Sequence, residues 1–176
     1  MSLKLLEPSS TLLLPLRDVK NYLRIDHDIE DDLLKHLILL ATQWVEEATG
    51  KSLLRQKWSY THQNNVLLLP NPPIVEVLEV RTKRKILAPK DFEIQSKRGK
   101  TEIHIPFAWE KRTFTVVYLA GFGETPEDLP LALQHAVLTT VGYLYENRLD
   151  SQDTRKKNVS QGIQPWIHYH RTLEMA

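Results

Sequence analysis

Apolar residues recur every three or four places from residue 16 to 49, every second place from 56 to about 119, and every three or four places again beyond 128. The first stretch predicts a short helix over 16–25 (Leu16, Val19, Leu23) and a long one over 28–49. Asp28 reads as the N-cap of the long helix, with Asp31 as its capping-box acid. Gly50 supplies the left-handed residue that ends it. Its apolar stripe is Leu33, Leu34, Leu37, Ile38, Ala41, Trp44, Val45 and Ala48, roughly 30 Å of rod at 1.5 Å per residue. The alternating stretch predicts strands over 56–62, 66–69, 74–82, 91–95, 101–105 and 112–119. Turn-forming residues separate them, among them Asn64-Asn65, Pro70-Asn71-Pro72-Pro73 and Arg98-Gly99-Lys100. Connections this short imply antiparallel pairing, because parallel strands need long crossovers. The third stretch predicts a helix over 128–147. Packing between the two long helices is assigned to Leu37, Ala41 and Trp44 against Val137, Val141 and Leu144.

The expected fold class is therefore α+β: a helical body (short helix, long helix, C-terminal long helix) with an inserted antiparallel β-meander over 56–119 and a flexible C-terminal tail. Residues 1–148 are expected to form a single domain that opens with an irregular arm over 1–15. Residues 149–176 are expected to be a mobile loop followed by the tail. At "AGFG" (120–123) the chain passes from strand towards helix, and its two glycines are read as the positive-φ residues of that joint.

Composition narrows the classes further. There are no cysteines among 176 residues, which removes disulfides and thiolate metal sites. A formal net charge of +1 gives no bulk electrostatic case for nucleic-acid or membrane binding. The longest apolar runs, such as Leu12-Leu13-Leu14, are far too short to span a bilayer. No signal peptide is evident, so a soluble protein made on the cytoplasmic side is expected.

Chemistry-bearing patterns are sparse. "AGFG" lacks the further glycine and the basic residue of a phosphate-binding loop, and no nucleophile elbow is present. The acids of "DHDIEDD" (26–32) suit a helix N-terminus, where negative charge is favourable, better than a metal site. His168 and His170 stand two apart with no third ligand at suitable spacing. No cofactor, metal or catalytic residue is assigned, and a hydrolase built on these histidines lacks a complete site. The tail "PWIHYHR" (165–171) reads as an aromatic docking segment, with Trp166, Ile167, Tyr169 and Arg171 as its contacts. Basic residues Lys83, Arg84 and Lys85, then Lys97, Arg98 and Lys100, fall at expected hairpin turns. Gathered on one edge, they would face phosphate backbone or an acidic partner. A small nucleic-acid-binding module using those turns, with Trp58, Tyr60 and Trp109 for stacking, is the alternative function.

Three stretches carry a resemblance. They are "LRDVKNYLRIDHDIEDDLLKHLILLATQWVEEATGKSL" (16–53), "LLLPNPPIVEVLEV" (67–80) and the run from "YLAGFG" through "PEDLPLALQHAVL" to "YENR" (118–148). In their order and spacing the sequence resembles the gp6-like head–tail connector (adaptor) proteins of tailed phages, in particular the phiE125 gp8-like branch with a β insertion. The resemblance implies a non-enzymatic subunit of a virion, prophage or gene transfer agent, made in the bacterial host cytoplasm. It implies self-association into a ring, typically dodecameric in the particle and compatible with a monomer when the chain is made alone, under the portal protein and above a head-closure or tail component. Such a ring extends the DNA channel, so non-specific contact with passing DNA is implied and contact with a membrane is not. The tail residues would then dock on the portal.

Overall fold

A computed structural model describes residues 1–97, 99–106, 112–148 and 152–168. The described chain divides into two compact units, each assembled from separated stretches. One is made of the described residues of Met1–Ser9 and Leu54–Phe122, the other of Ser10–Leu53 and the described residues from Gly123 on. This division cuts across the single 1–148 domain expected from the sequence.

The first unit carries the strands β1 (Ser2–Glu7), β2 (Gln56–His62), β3 (Val66–Leu68), β4 (Ile74–Thr82), β5 (Glu93–Lys97), β6 (Lys100–His104) and β7 (Phe114–Ala120). All pairings among them are antiparallel. They form a four-stranded sheet in the order β1-β2-β7-β4 and a three-stranded sheet in the order β3-β6-β5. The order differs from a simple meander because β7 returns between β2 and β4. The expected irregular arm is also corrected, since Ser2–Glu7 is an edge strand on β2. Its six residues alternate over too short a run, ahead of Pro8, to register as a strand in the sequence.

Alternation along β7 sends Phe114, Val116, Tyr118 and Ala120 into the core. There they meet Leu67 and Leu69 near β3 and Ile103 and Ile105 near β6, so the two sheets share one apolar interior. The Tyr118 hydroxyl donates to the Pro70 carbonyl at 2.9 Å, which satisfies its polar end. Gly121 leaves β7 at φ 136°, and a Cβ there would run into the Leu54 carbonyl. Gly123 does not take positive φ; a Cβ there would meet the Asp128 side chain instead.

The second unit contains α1 (Leu16–Leu23), α2 (Asp31–Thr49), α3 (Leu131–Glu146) and α4 (Gln152–Ile167). α2 packs along α3, and α3 also carries α1 and α4. The buried face of α2 is Leu34, Leu37, Ile38, Ala41, Trp44, Val45 and Thr49. Facing residues on α3 include Leu133, Ala136, Val137, Thr140, Val141 and Leu144. Gly50 closes α2 at φ 66°, where a Cβ would be strained. Its N-cap position is Glu30, without a side-chain cap, rather than Asp28. A short 3₁₀ turn, Pro126–Asp128, precedes α3, and the Asp128 carboxylate accepts from the Glu124 and Thr125 N–H groups.

The loop expected over 149–164 is largely replaced by α4. Its polar sequence hides three apolar residues at four-residue spacing, Val159, Ile163 and Ile167, and all three are buried. The flexible-tail expectation for 169–176 lies outside the described residues.

Candidate functional site

The acidic run 26–32 is spent on the helical unit itself. The Lys20 ammonium binds both Asp28 and Asp31, the latter at 2.9 Å. Lys35 pairs with Asp32 at 2.9 Å, one turn away on α2. Glu30 accepts from the Tyr145 hydroxyl at 2.6 Å and from the Arg148 guanidinium at 2.9 Å. That guanidinium lies 4.3 Å over the Tyr145 ring. The Tyr145 hydrogen bond and then Arg148 hold the Glu30 carboxyl below the usual glutamate range. The Lys20 hydrogen bond lowers Asp28 in the same way, while the two aspartates raise Lys20. Asp28 fails as an N-cap because Lys20, eight residues earlier, already takes its carboxylate. Sequence reading missed the Glu30–Tyr145–Arg148 clamp altogether. Its partners are more than a hundred residues apart, and no short-range spacing signals it. Among the described residues no group of three or more His, Asp or Glu side chains is placed to hold a metal ion.

The basic residues occupy two separate hairpin tips. Lys83, Arg84 and Lys85 form the turn after β4, closed by the Thr82 N–H donating to the Lys85 carbonyl at 2.8 Å. The Thr82 hydroxyl accepts from the Arg84 and Lys85 N–H groups. Lys85 reaches to 3.8 Å from the Asp91 carboxylate. Lys97 and Lys100 oppose each other directly at the closed end of the β5–β6 hairpin. One tip therefore belongs to the four-stranded sheet and the other to the three-stranded sheet. Arg98, between Lys97 and Lys100, lies outside the described residues, as does Trp109. Trp58 and Tyr60 are partly buried against the sheet core rather than presented as a stacking platform.

The aromatic tail begins inside α4. The Trp166 ring meets His135 of α3 edge-on at 4.3 Å between centroids. Asn158 donates to the Tyr143 hydroxyl at 2.9 Å, a second tie from α4 to α3. Ile167, expected as a docking contact, is buried, because it completes the apolar face of α4 begun by Val159 and Ile163. Tyr169, His170 and Arg171 lie outside the described residues. The six positions assigned to helix packing, Leu37, Ala41, Trp44, Val137, Val141 and Leu144, are all buried in the helical unit.

This arrangement offers ion-paired helix ends, two cationic hairpin tips and an aromatic helix end. A family model of head completion proteins matches residues 12–171. The chain belongs to the head completion protein family. Membership makes it a structural component of the head–tail connector, as the resemblance implied, and does not favour the small nucleic-acid-binding module. Among solved structures, a chain from the neck of an empty gene transfer agent particle, computed with C6 symmetry, superposes with a TM-score of 0.82 at 20% identity. The match covers 100% of this chain and 98% of that one. A chain of the native gene transfer agent virion gives a TM-score of 0.80, and one from the native neck computed with C12 symmetry gives 0.79, with the same identity and coverage. At that identity the likeness establishes the fold. No curated protein sequence matches significantly. No helix among the described residues is long and apolar enough to cross a membrane.

Proposed function

We propose that this chain is a non-enzymatic ring subunit at the head–tail junction of a phage-like particle, seated under the portal and prolonging the DNA conduit. The observation that carries the reading is the family match over 12–171, joined to near-complete overlap with neck chains from particles computed with C6 and C12 symmetry. A ring of about twelve copies fits that symmetry, and closed rings arise when unlike patches on identical subunits meet head to tail. The remaining residues after His168, with Tyr169 and Arg171, serve as the portal-docking segment, and Trp166 anchors its start. Ile167 holds α4 in place instead. Lys83, Arg84 and Lys85 face the passing DNA, touching phosphates without reading sequence. A head-closure or tail component binds the opposite rim.

Negative-stain imaging of the full chain mixed with its cognate portal tests this directly. Stacked rings are expected with the full chain and are lost on truncation after His168, which keeps α4 complete. Absence of any stacked assembly with the full chain would refute the ring reading. Unchanged stacking after truncation would refute only the docking role of the tail.

A further inference from the structure

A net charge of +1 hides an uneven distribution. The sequence of the β unit, Met1–Ser9 with Leu54–Phe122, holds 13 Lys and Arg against 7 Asp and Glu, a formal +6. That of the helical unit holds 10 against 15, a formal −5. The whole chain makes no bulk case for a polyanion, but the β unit taken by itself does. Strand register locates the excess. β4 ends at Thr82, which pairs with Phe114 at the start of β7, and Phe114 also pairs with His62 at the end of β2. The turn 83–85 follows Thr82 directly, and Arg112 stands two residues before Phe114, so both lie at one end of the unit. Lys90 joins them, because the 3₁₀ turn that carries it, Pro89–Asp91, sets the Asp91 carboxylate 3.8 Å from the Lys85 ammonium. The turn after β2 adds Gln63 and Asn64, both exposed and neutral.

The acids at this end are engaged. Asp91 faces Lys85 and accepts from the Ala88 N–H, and Glu93 accepts from the Gln95 side chain. The other cationic tip is elsewhere. Leu69 donates to the carbonyl of Thr101, the residue after Lys100, and the turn 70–73 that follows Leu69 ends on Pro73, whose carbonyl accepts from the Gly121 N–H. Lys97 and Lys100 therefore lie towards the Gly121 end of β7, away from Phe114.

We propose that the Phe114 end of the β unit binds the phosphate backbone of double-stranded DNA, with Lys90 and Arg112 acting together with Lys83, Arg84 and Lys85. The site rests on the conduit reading above, which used the turn 83–85 alone, and adds two cations from separate segments. Duplex DNA carries negative charge evenly along both strands, which suits cations spread over three segments rather than focused in one pocket. Asn, Gln and Thr side chains commonly share such phosphate contacts, and Gln63, Asn64 and Thr82 stand among these cations.

Binding of the full chain to a linear duplex of mixed sequence, followed by fluorescence anisotropy over a series of NaCl concentrations, tests the site. Each phosphate contact contributes about 0.9 to the slope of log affinity against log salt. Lys90→Gln with Arg112→Gln should lower that slope by about 1.8 and weaken binding at low salt. Lys97→Gln with Lys100→Gln removes the same charge from the other end and should leave the slope unchanged. Lys90→Gln alone, on an exposed turn, should give about half the change and guards against an effect of Arg112→Gln on folding. Equal losses from the two pairs would reduce the effect to bulk charge and overturn the site, as would no loss from the first pair or no salt-dependent binding by the unmodified chain. Tighter binding to polyglutamate than to the duplex would overturn it in favour of an acidic protein partner. Imaging the same variants with the cognate portal separates the site from the ring reading. Normal stacked rings with an unchanged slope overturn the site alone, whereas no rings from the unmodified chain would remove the conduit on which it rests.

Discussion

Replacing Trp44 with alanine tests the register of α2 more sharply than any other single change. Its side chain is 8% exposed, between Ala41 and Val45 on the face that packs along α3. A buried tryptophan removes about 150–250 Å² from water. At about 25 cal/mol per Å² that corresponds to roughly 4–6 kcal/mol. Partial collapse of the site recovers some of this, which gives an expected loss of about 3–5 kcal/mol. For a chain of this length, each kcal/mol moves Tm by about 2–4 °C, so a drop of roughly 6–20 °C is expected. The control is Leu39→Ala on the same helix. Leu39 is 57% exposed, so its loss should cost no more than about 0.5 kcal/mol. Circular dichroism at 222 nm is the right assay, because the four α-helices among the described residues belong to one compact unit. A loss below about 1 kcal/mol for Trp44→Ala, or equal losses for both variants, would mean that the helix presents a different face.

Gly121→Ala should destabilise the β unit by about 3 kcal/mol or more, since φ 136° is strained for alanine and the added methyl meets the Leu54 carbonyl; an unchanged urea midpoint would contradict this. Tyr118→Phe removes the hydroxyl bond to Pro70 and should cost about 1 kcal/mol, read from the fluorescence of Trp58, its direct neighbour across β2. Glu30→Gln should remove a pH-dependent part of stability. The folded-state pKa of Glu30 is lowered, so its contribution is complete above the ordinary glutamate pKa and disappears as pH falls through the folded value. The Tm gap between wild type and Glu30→Gln should therefore hold from neutral pH to about the ordinary glutamate pKa and close below it. A gap independent of pH would assign the clamp to packing alone.

Periodicity made most of the elements legible. The α2 stripe and the alternation in β7 survive because each is long enough, and amphipathic enough, for its period to stand out. What escaped had short runs or distant partners. β1 offers only Leu3-Lys4-Leu5 as alternation before Pro8. α4 contains Gly162 and Pro165, poor helix formers, and its three buried residues are diluted by polar ones. The capping assignment failed because a local rule placed Asp28 on its own helix end, while Lys20 from the preceding helix claimed it. Strand order was beyond periodicity as well, since alternation says which residues share a face but not which strands are neighbours.

The same limit explains why surfaces were harder to read than the core. Leu3, Leu5 and Ile94 carry the alternation of half-buried strands, and nothing in the chain says that their faces remain uncovered. Only their exposure in the folded chain reveals it. Charge tells a parallel story. The acids of 26–32 read as helix-terminal charges rather than a metal site, and Lys20, Lys35, Tyr145 and Arg148 engage most of them inside one unit. The cations at the hairpin tips are different: Lys83, Arg84, Lys97 and Lys100 form no ion pair among the described residues. Uncommitted positive charge at strand ends, beside apolar residues left open on sheet flanks, suits surfaces that are completed by other macromolecules.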